Sequence, residues 1–337
     1  MQRTTDITYN DDLRQSTAVS VSAPSRLHFG MFGFGQPDLP QFGGVGVMVQ
    51  QPRLRLALQR AEDLSAAGPM LDRALDFANT WAANRRVNTT LGCRITVEAA
   101  PRPHCGLGSG TQLAMAVAAG LEALLVTDDP RSAAQLALSV NRARRSAVGT
   151  YGFCNGGLIV ETGRLPGDEI APIERRIDFP SHWRFVLLTP LACQGLSGPA
   201  ERHAFAQLPP VPEETTTRLR RLAVEELLPA AEAAEFDRFS QNLYEYGYEA
   251  GMCFASQQGG AFANETLTTL ATRARELGVE GVGQSSWGPT LFSLLDSDEA
   301  AQEFVAIIRS EHRHDELDVS ITAADNLGAV VSVADSQ

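Results

Sequence analysis

The sequence contains no lysine. All 28 basic residues are arginine, set against 40 acidic ones for a net charge of -12. A mechanism built on a catalytic lysine is excluded, and so is the Walker-type phosphate loop, whose G-K-[ST] requires one. Anions must be held by arginine forks, backbone amides or a metal. The acidic balance argues against a nucleic-acid partner, which asks for a broad basic face. Cysteine is scarce: Cys93, Cys105, Cys154, Cys193 and Cys253 form no CxxC pair. Neither a zinc site nor a disulfide framework is expected, and the five read as reduced packing thiols. Long hydrophobic runs are missing too. The longest, "LAMAVAAGLEALLV" (113–126), contains Glu122 and is too short for a bilayer. The opening "MQRTTDITYNDDLRQST" has no apolar core and reads as a flexible tail, not a signal peptide. A cytoplasmic protein without a membrane span is expected.

What is present suits a globular enzyme. Of 337 residues, 44% are hydrophobic and 20% charged, enough for two domains with sizeable cores. Apolar runs and alternation predict strands at 17–23, 42–50, 53–59, 93–100, 156–161 and 183–190, with helices at 68–86, 110–126 and 131–147. Beyond about 198 helical patterns dominate, at 199–207, 213–234, 236–256 and 262–278. A strand at 290–296, a helix at 297–311 and strands at 317–322 and 327–333 follow. Strands and helices do not alternate regularly, so the class is α+β rather than doubly wound. The expected division is a tail over 1–16, one domain over 17–190 and a second over 191–337.

The stretch "PHCGLGSGTQLAMAV" (103–117) runs from a strand through a glycine loop into an alanine-rich helix. A dinucleotide-binding turn needs G-x-G-x-x-G, and Thr111 stands at the third glycine position. What remains is a helix start whose amides and dipole favour an anion. Gly106, Gly108 and Gly110 allow close approach, Leu107 sits between them, and Ser109 and Thr111 add hydroxyls. A capped helix entry with no ligand fits the same residues.

The loop resembles that of the GHMP kinase superfamily, whose usual form is P-x-x-x-G-L-G-S-S-A-A. Gly110 and Thr111 replace the second serine and the first alanine. In those kinases the second serine helps hold magnesium, so its loss points away from ATP-dependent phosphoryl transfer. Further segments narrow the match: "SRLHFGMFGF" (25–34), "FGGVGVMV" (42–49), "RRSAVGTYGFCNGGLIVE" (144–161), "QGLSGPAERHAF" (194–205), "FASQQGGAF" (254–262) and "GVGQSSWGPTLF" (281–292). With the loop, they resemble the β-ribofuranosylaminobenzene 5'-phosphate synthase family over nearly all of the chain after the tail. The resemblance implies a two-domain GHMP-kinase-like fold, with an N-terminal ribosomal-S5-like domain and a C-terminal ferredoxin-like one. It implies condensation of 4-aminobenzoate with phosphoribosyl diphosphate, releasing CO2 and diphosphate, in the making of methanopterin-type carriers. An ATP-dependent small-molecule kinase of the same superfamily and a non-catalytic nucleotide- or sugar-phosphate-binding protein remain as alternatives.

Candidate site residues follow. Arg26 and His28, at the end of a buried strand, are candidate ligands for carboxylate or phosphate, and His104 on the loop is a candidate general acid. Phosphate is expected on residues 106–111 with Arg144 and Ser146, from a cluster that also holds Arg142 and Arg145 at a helix end. Gln258, Gly259, Gln284, Ser285, Ser286 and Trp287 are expected around the substrate, with Trp287 able to stack on an aromatic ring. Magnesium is the expected cofactor, with Thr111 and Glu161 as its candidate ligands. The partners are then small molecules, with neither nucleic acid nor membrane. A homodimer is compatible with the sequence.

Overall fold

Strand pairing divides the chain between two main sheets. In chain order the first part carries β1 (Asp6–Ile7), β2 (Ala18–Met31), β3 (Gly44–Arg60), β4 (Ser65–Ala67), α1 (Leu71–Asn84), β5 (Cys93–Ala99) and α2 (Ser109–Leu125). It continues with β6 (Arg131–Ser132), α3 (Ala133–Ser139), α4 (Val148–Asn155), β7 (Leu158–Glu161) and β8 (Ile173–Ile177). The second part carries β9 (Arg184–Pro190), α5 (Gly198–Ala206), α6 (Glu213–Arg221), a π-helical stretch (Leu222–Leu227), α7 (Leu228–Glu232), α8 (Phe236–Met252) and α9 (Ala255–Gln258). It ends with α10 (Glu265–Glu276), β10 (Gly281–Gln284), β11 (Leu291–Leu295), α11 (Asp298–Glu311), β12 (Leu317–Thr322) and β13 (Val330–Val333). This computed structural model describes residues 6–7, 16–87, 91–125, 131–193, 195 and 198–334. Most of the expected tail lies outside them, but Asp6 and Ile7 pair with Ser132 and Arg131.

The first sheet runs β13-β2-β3-β5-β4, with β7 and β8 along the other half of β3. The strands expected at 42–50 and 53–59 are one strand, β3, continuous through Pro52. Its register against β2 shifts between Ala23 and Ser25, where the Ser25 hydroxyl donates to the Pro52 carbonyl at 2.5 Å. Helices α1 to α4 cover one face. There Val19, Val21, Leu54, Leu56 and Leu58 of the strands share a core with Leu113, Val117 and Leu121 of α2. Fourteen of the residues of α2 are buried, the mark of a helix that is apolar all round. Glu122 is the one charged residue among those fourteen. Its carboxylate accepts the Trp81 indole N–H at 3.1 Å and pairs with Arg85 at 2.9 Å and Arg131 at 3.6 Å.

The second sheet runs β10-β11-β9-β12, antiparallel throughout. The order is that of a split β-α-β, ferredoxin-like unit. Along β9 successive side chains go to opposite faces. Phe185 and Leu187 join Leu27, Phe29 and Val45 in the core between the sheets, whereas Val186 and Leu188 pack under α10 and α11. Both faces are covered, which is why "RFVLLTP" reads as an unbroken apolar run. It also moves the expected boundary at 190: β9 belongs to the second sheet, so the change of sheet falls between Ile177 and Arg184. β13, expected in the second domain, returns to the first sheet and pairs with β2.

The helix expected over 131–147 stops at Ser139. Asn141 and Ala143 adopt left-handed backbone (φ 55° and 61°), and α4 starts afresh at Val148. β8 and β10 were not foreseen from the sequence. "IERRI" is too charged to look like a strand, and "GVGQ" is short and half glycine. Among the described residues no helix is long and apolar enough to cross a membrane.

Glu122→Ala would leave the buried indole N–H and two guanidiniums without their acceptor. Because both arginines keep some access to water, we expect a loss of about 2–3 kcal/mol, read as a shift of the urea-unfolding midpoint at unchanged slope.

Candidate active site

β2 positions the first two site residues. Arg26 and His28 are two apart and share one face of the strand, while Leu27 and Phe29 fill the core on the other. They do not lie at a strand end, as expected, because β2 continues to Met31. The glycine loop is tied to this strand: the Arg26 N–H donates to the Leu107 carbonyl at 3.0 Å.

The turn after β10 abuts the loop backbone to backbone. The Ser285 hydroxyl donates to the Gly106 carbonyl at 2.7 Å and accepts the His28 N–H at 3.0 Å. The Ser286 N–H closes the contact on the His28 carbonyl at 3.2 Å. Gly288 is required here, since a Cβ on it would lie 2.1 Å from the Gly106 nitrogen. Gly106 itself has φ +91° and would meet the Ser285 carbonyl oxygen at 2.3 Å.

Loop, strand and turn open onto a cavity of about 740 Å³. Its walls carry Arg26, Arg73, Arg142, Arg144, Arg145 and Arg202, with Glu201 the one acid among the lining residues. His28, His104, Ser109, Gly110, Thr111, Asn141, Ser146, Ser286 and Trp287 complete the chemistry-bearing surface. Arg142, Arg144 and Arg145 come from the irregular loop after α3, not from a helix end as expected. Arg145 pairs with Glu201 at 2.5 Å and its guanidinium lies over the Phe205 ring at 4.7 Å. Arg73 and Arg142 both lie over Phe77, at 5.8 and 4.8 Å from its centre.

The electrostatics are set by burial. It lowers the Arg26 guanidinium to about 10, with Glu161 opposing, so Arg26 stays charged near neutrality. Its Nη1 donates to the Ser286 hydroxyl at 2.7 Å. Burial and the neighbouring Arg26 hold His28 well below the usual histidine range, so its ring is neutral. His28 Nε2 lies 3.1 Å from the Ser146 hydroxyl. Behind Ser146 lies Glu161, whose carboxyl burial pushes up to about 8 despite the Ser146 hydroxyl, the Ala147 amide and Arg26. That amide donates to Glu161 at 2.6 Å. His104 is exposed, and partial burial and Arg73 lower its pKa.

A second, smaller hollow of about 40 Å³ adjoins the cavity and shares His28, Met31, Ser286 and Trp287 with it. Phe29, Ala250, Phe254 and Ala261 make it mostly apolar, and Gln258 and Gln284 also line it. Gln284 spends its side chain on structure, accepting from the Ala263 amide at 2.7 Å and donating to the Ser286 carbonyl at 2.8 Å. Four expected residues line neither space. Gly259 caps α9 with φ +80°, Ser285 is a fully buried brace, the Leu107 side chain is in the core, and Glu161 is sealed behind Ser146. Sealed there, Glu161 cannot face a metal in the cavity. Among the described residues no three His, Cys, Asp or Glu side chains cluster as a metal site would require. The Cys105 thiol, pushed up by burial, donates to the Arg102 carbonyl at 2.9 Å and does not line the cavity.

Sequence reasoning missed Arg73, Met31, Glu201 and Arg202. Arg73 lies on α1, more than thirty residues before the loop, and nothing local marks it. Glu201 and Arg202 fall inside "QGLSGPAERHAF", a stretch noticed only as part of a wider resemblance.

The Glu161 shift has a pH signature. A carboxyl raised from 4.5 to about 8 keeps its proton in the folded state where the unfolded state has lost it. Its contribution is therefore complete below the unfolded value and is lost as pH rises through the folded one. Glu161→Gln, neutral at every pH, should gain in Tm relative to the parent as pH rises from about 5 to about 9. Parallel Tm curves for the two proteins would contradict this.

Comparison with known proteins fits the geometry. Residues 73–156 match the family model described as GHMP kinases N terminal domain. A protein of Methanothermobacter thermautotrophicus named beta-ribofuranosylphenol 5'-phosphate synthase is 26% identical over 301 residues, 82% of this chain and 88% of that protein. One of the same name from Archaeoglobus fulgidus is 27% identical over 322 residues, 92% and 98% of the two chains. Among solved structures, mevalonate pyrophosphate decarboxylase from Streptococcus pyogenes superposes with a TM-score of 0.64 at 11% identity, covering 94% of this chain and 99% of that one. Homoserine kinase from Cytophaga hutchinsonii gives 0.63 at 13%, covering 96% and 99%. The chain is thus a two-domain α+β protein of the GHMP-kinase-like fold, similar over most of its length to the beta-ribofuranosylphenol 5'-phosphate synthases.

Proposed function

We propose that the protein is a decarboxylating phosphoribosyltransferase, joining a para-substituted benzoate to phosphoribosyl diphosphate in the making of a methanopterin-type carrier. The carrying observation is the pairing of two unlike spaces. A cavity lined by six arginines and a glycine loop opens beside a mostly apolar hollow, and the two share His28, Met31, Ser286 and Trp287. The donor's phosphates suit the first, and an aromatic ring would lie against the apolar mouth of the second, whose 40 Å³ alone is too small to enclose it. The acceptor expected from the sequence is 4-aminobenzoate. The product in the relatives' name, a ribofuranosylphenol 5'-phosphate, would arise from 4-hydroxybenzoate by the same chemistry.

In this reading the bond from C1' to the diphosphate oxygen breaks, and its electron pair leaves with the diphosphate. The ring carbon bearing the carboxylate bonds to C1'. The carbon–carboxylate bond then breaks, and its pair restores aromaticity as CO2 departs. The acceptor needs no base to remove a proton at the reacting carbon, which suits a site whose buried histidine is held well below the usual range, and so is a weak base, and which holds no lysine. Loop amides at the start of α2 and the arginines stabilise the phosphates. Arg26, fixed on Ser286 at the junction, orients the acceptor carboxylate. Trp287, which lines both spaces, flanks the ring. His104, neutral beside Arg73, leaves stabilisation of the departing diphosphate mainly to the guanidiniums.

Thr111 is the cavity-lining hydroxyl that could meet a magnesium ion, and the remaining ligands would be diphosphate oxygens and water. The residues thus fit an ion carried in with the donor rather than one held by the protein alone. Such an ion would offset charge on the diphosphate.

The test is release of labelled CO2 from carboxyl-labelled 4-aminobenzoate or 4-hydroxybenzoate with phosphoribosyl diphosphate and magnesium. Arg26→Ala should lower kcat/KM by roughly a hundredfold or more, the scale of a lost buried charge-assisted contact. If neither benzoate releases CO2 while ATP is turned over to ADP with an alcohol acceptor, the reading is wrong and a kinase takes its place.

A further inference from the structure

Four of the six cavity arginines, Arg73, Arg142, Arg144 and Arg202, make no hydrogen bond or ion pair with another described residue, and two of the four come together at the loop. Arg73, from α1, and Arg142, from the loop after α3, both lie over the Phe77 ring and both face the glycine loop. Neither guanidinium makes a hydrogen bond or ion pair with another described residue, and Arg142 Nε is buried without an acceptor. Arg142 is lowered to about 10 by burial and then by Arg73, with Glu201 opposing, and burial lowers Arg73 against Asp76. Two like charges drawn together in a half-buried space are unfavourable unless an anion bridges them.

Gly110 explains how they come to be there. A Cβ at Gly110 would lie 2.4 Å from Arg73 Nη2 and 3.4 Å from Arg142 Nη2. The side chain that the related kinases carry at this loop position would push the Arg73 guanidinium away. The absent side chain therefore has an occupant, and the occupant is a cation with its fork towards the helix start. A planar fork beside free helix amides is suited to phosphate oxygens.

We propose that Arg73 and Arg142 form a diphosphate subsite across Gly110, leaving the sugar 5'-phosphate to Arg144, which lines the same cavity and likewise has no hydrogen-bond or ion-pair partner among the described residues. This rests on the phosphoribosyl reading for its physiological ligand. The binding itself does not, because inorganic diphosphate needs no turnover. In this subsite two guanidiniums supply the positive charge that a kinase of this fold draws from a metal beside its loop serine.

The experiment is calorimetric titration of the full-length protein with inorganic diphosphate and, separately, with ribose 5-phosphate. Arg73→Gln and Arg142→Gln should each weaken diphosphate binding about tenfold or more, with ribose 5-phosphate affected by less than about threefold. Gly110→Ser should reproduce the selective loss, since it displaces the end of a flexible side chain and not backbone, and unchanged Tm would verify its fold. Diphosphate binding that is absent in the parent, unchanged in all three variants, or lost in step with ribose 5-phosphate would overturn the subsite. Labelled-CO2 release tests the phosphoribosyl reading separately: diphosphate binding without CO2 release would keep the subsite and remove the reaction.

Discussion

Everything in the candidate site hangs on one hydroxyl. Ser285 donates to the carbonyl of Gly106 and accepts the amide of His28. It thereby pins three segments from residues 28, 106 and 285 into one junction. No apolar contact could do this, because the groups to be satisfied are backbone polar atoms closed off from water. The two glycines that let the backbones touch, Gly106 and Gly288, are the price of that closeness. The junction also welds the glycine loop of the first sheet to the turn of the second, so the floor of the cavity is made by both.

Above this junction the site is organised by charge rather than by a proton relay. The buried ionisable groups near the reacting region are held neutral or left cationic: His28 as free base, Glu161 pushed towards its acid form, Arg26 charged. The mobile chemistry would then be supplied by the substrates, a diphosphate that leaves and a carboxylate that departs as CO2. On the proposed reading, arginine would take the part that lysine and a metal-binding serine take in the kinases the loop resembles. The exchange shows in the loop as Gly110 and in space as the Arg73 fork that occupies the position.

Much of the fold was legible in the sequence where a pattern was local. Apolar periodicity located α2, β5, β9, α11 and the helical run from 213, and the ordered series of segments from 25 to 292 implied the architecture. The errors share a cause. Residues 131–147 look helical throughout, yet left-handed Asn141 and Ala143 break them so that Arg142, Arg144 and Arg145 can turn into the cavity. Pro52 looks like the end of a strand, yet β3 passes through it at a register shift. β13 follows the second sheet in the chain but completes the first. In each case a long-range contact outweighed a local preference.

The sequence alone determined which chemistry could be expected: any anion held without lysine, a loop with Gly110 where the kinases it resembles have serine, and a set of residue types suited to a phosphorylated substrate. It also named most of the side chains now found around the cavity, among them Arg26, His28, His104, Arg144, Ser146 and Trp287. Only the tertiary structure decided which of them face the cavity and which merely hold it in place. Ser285 and Glu161 were read as ligands and are braces, while Arg73, with no local sign of a role, points at the loop. The reason is physical. Composition and spacing report what a residue can do, but whether a polar side chain meets a ligand or a backbone amide depends on partners that here lie from 14 to 257 residues away.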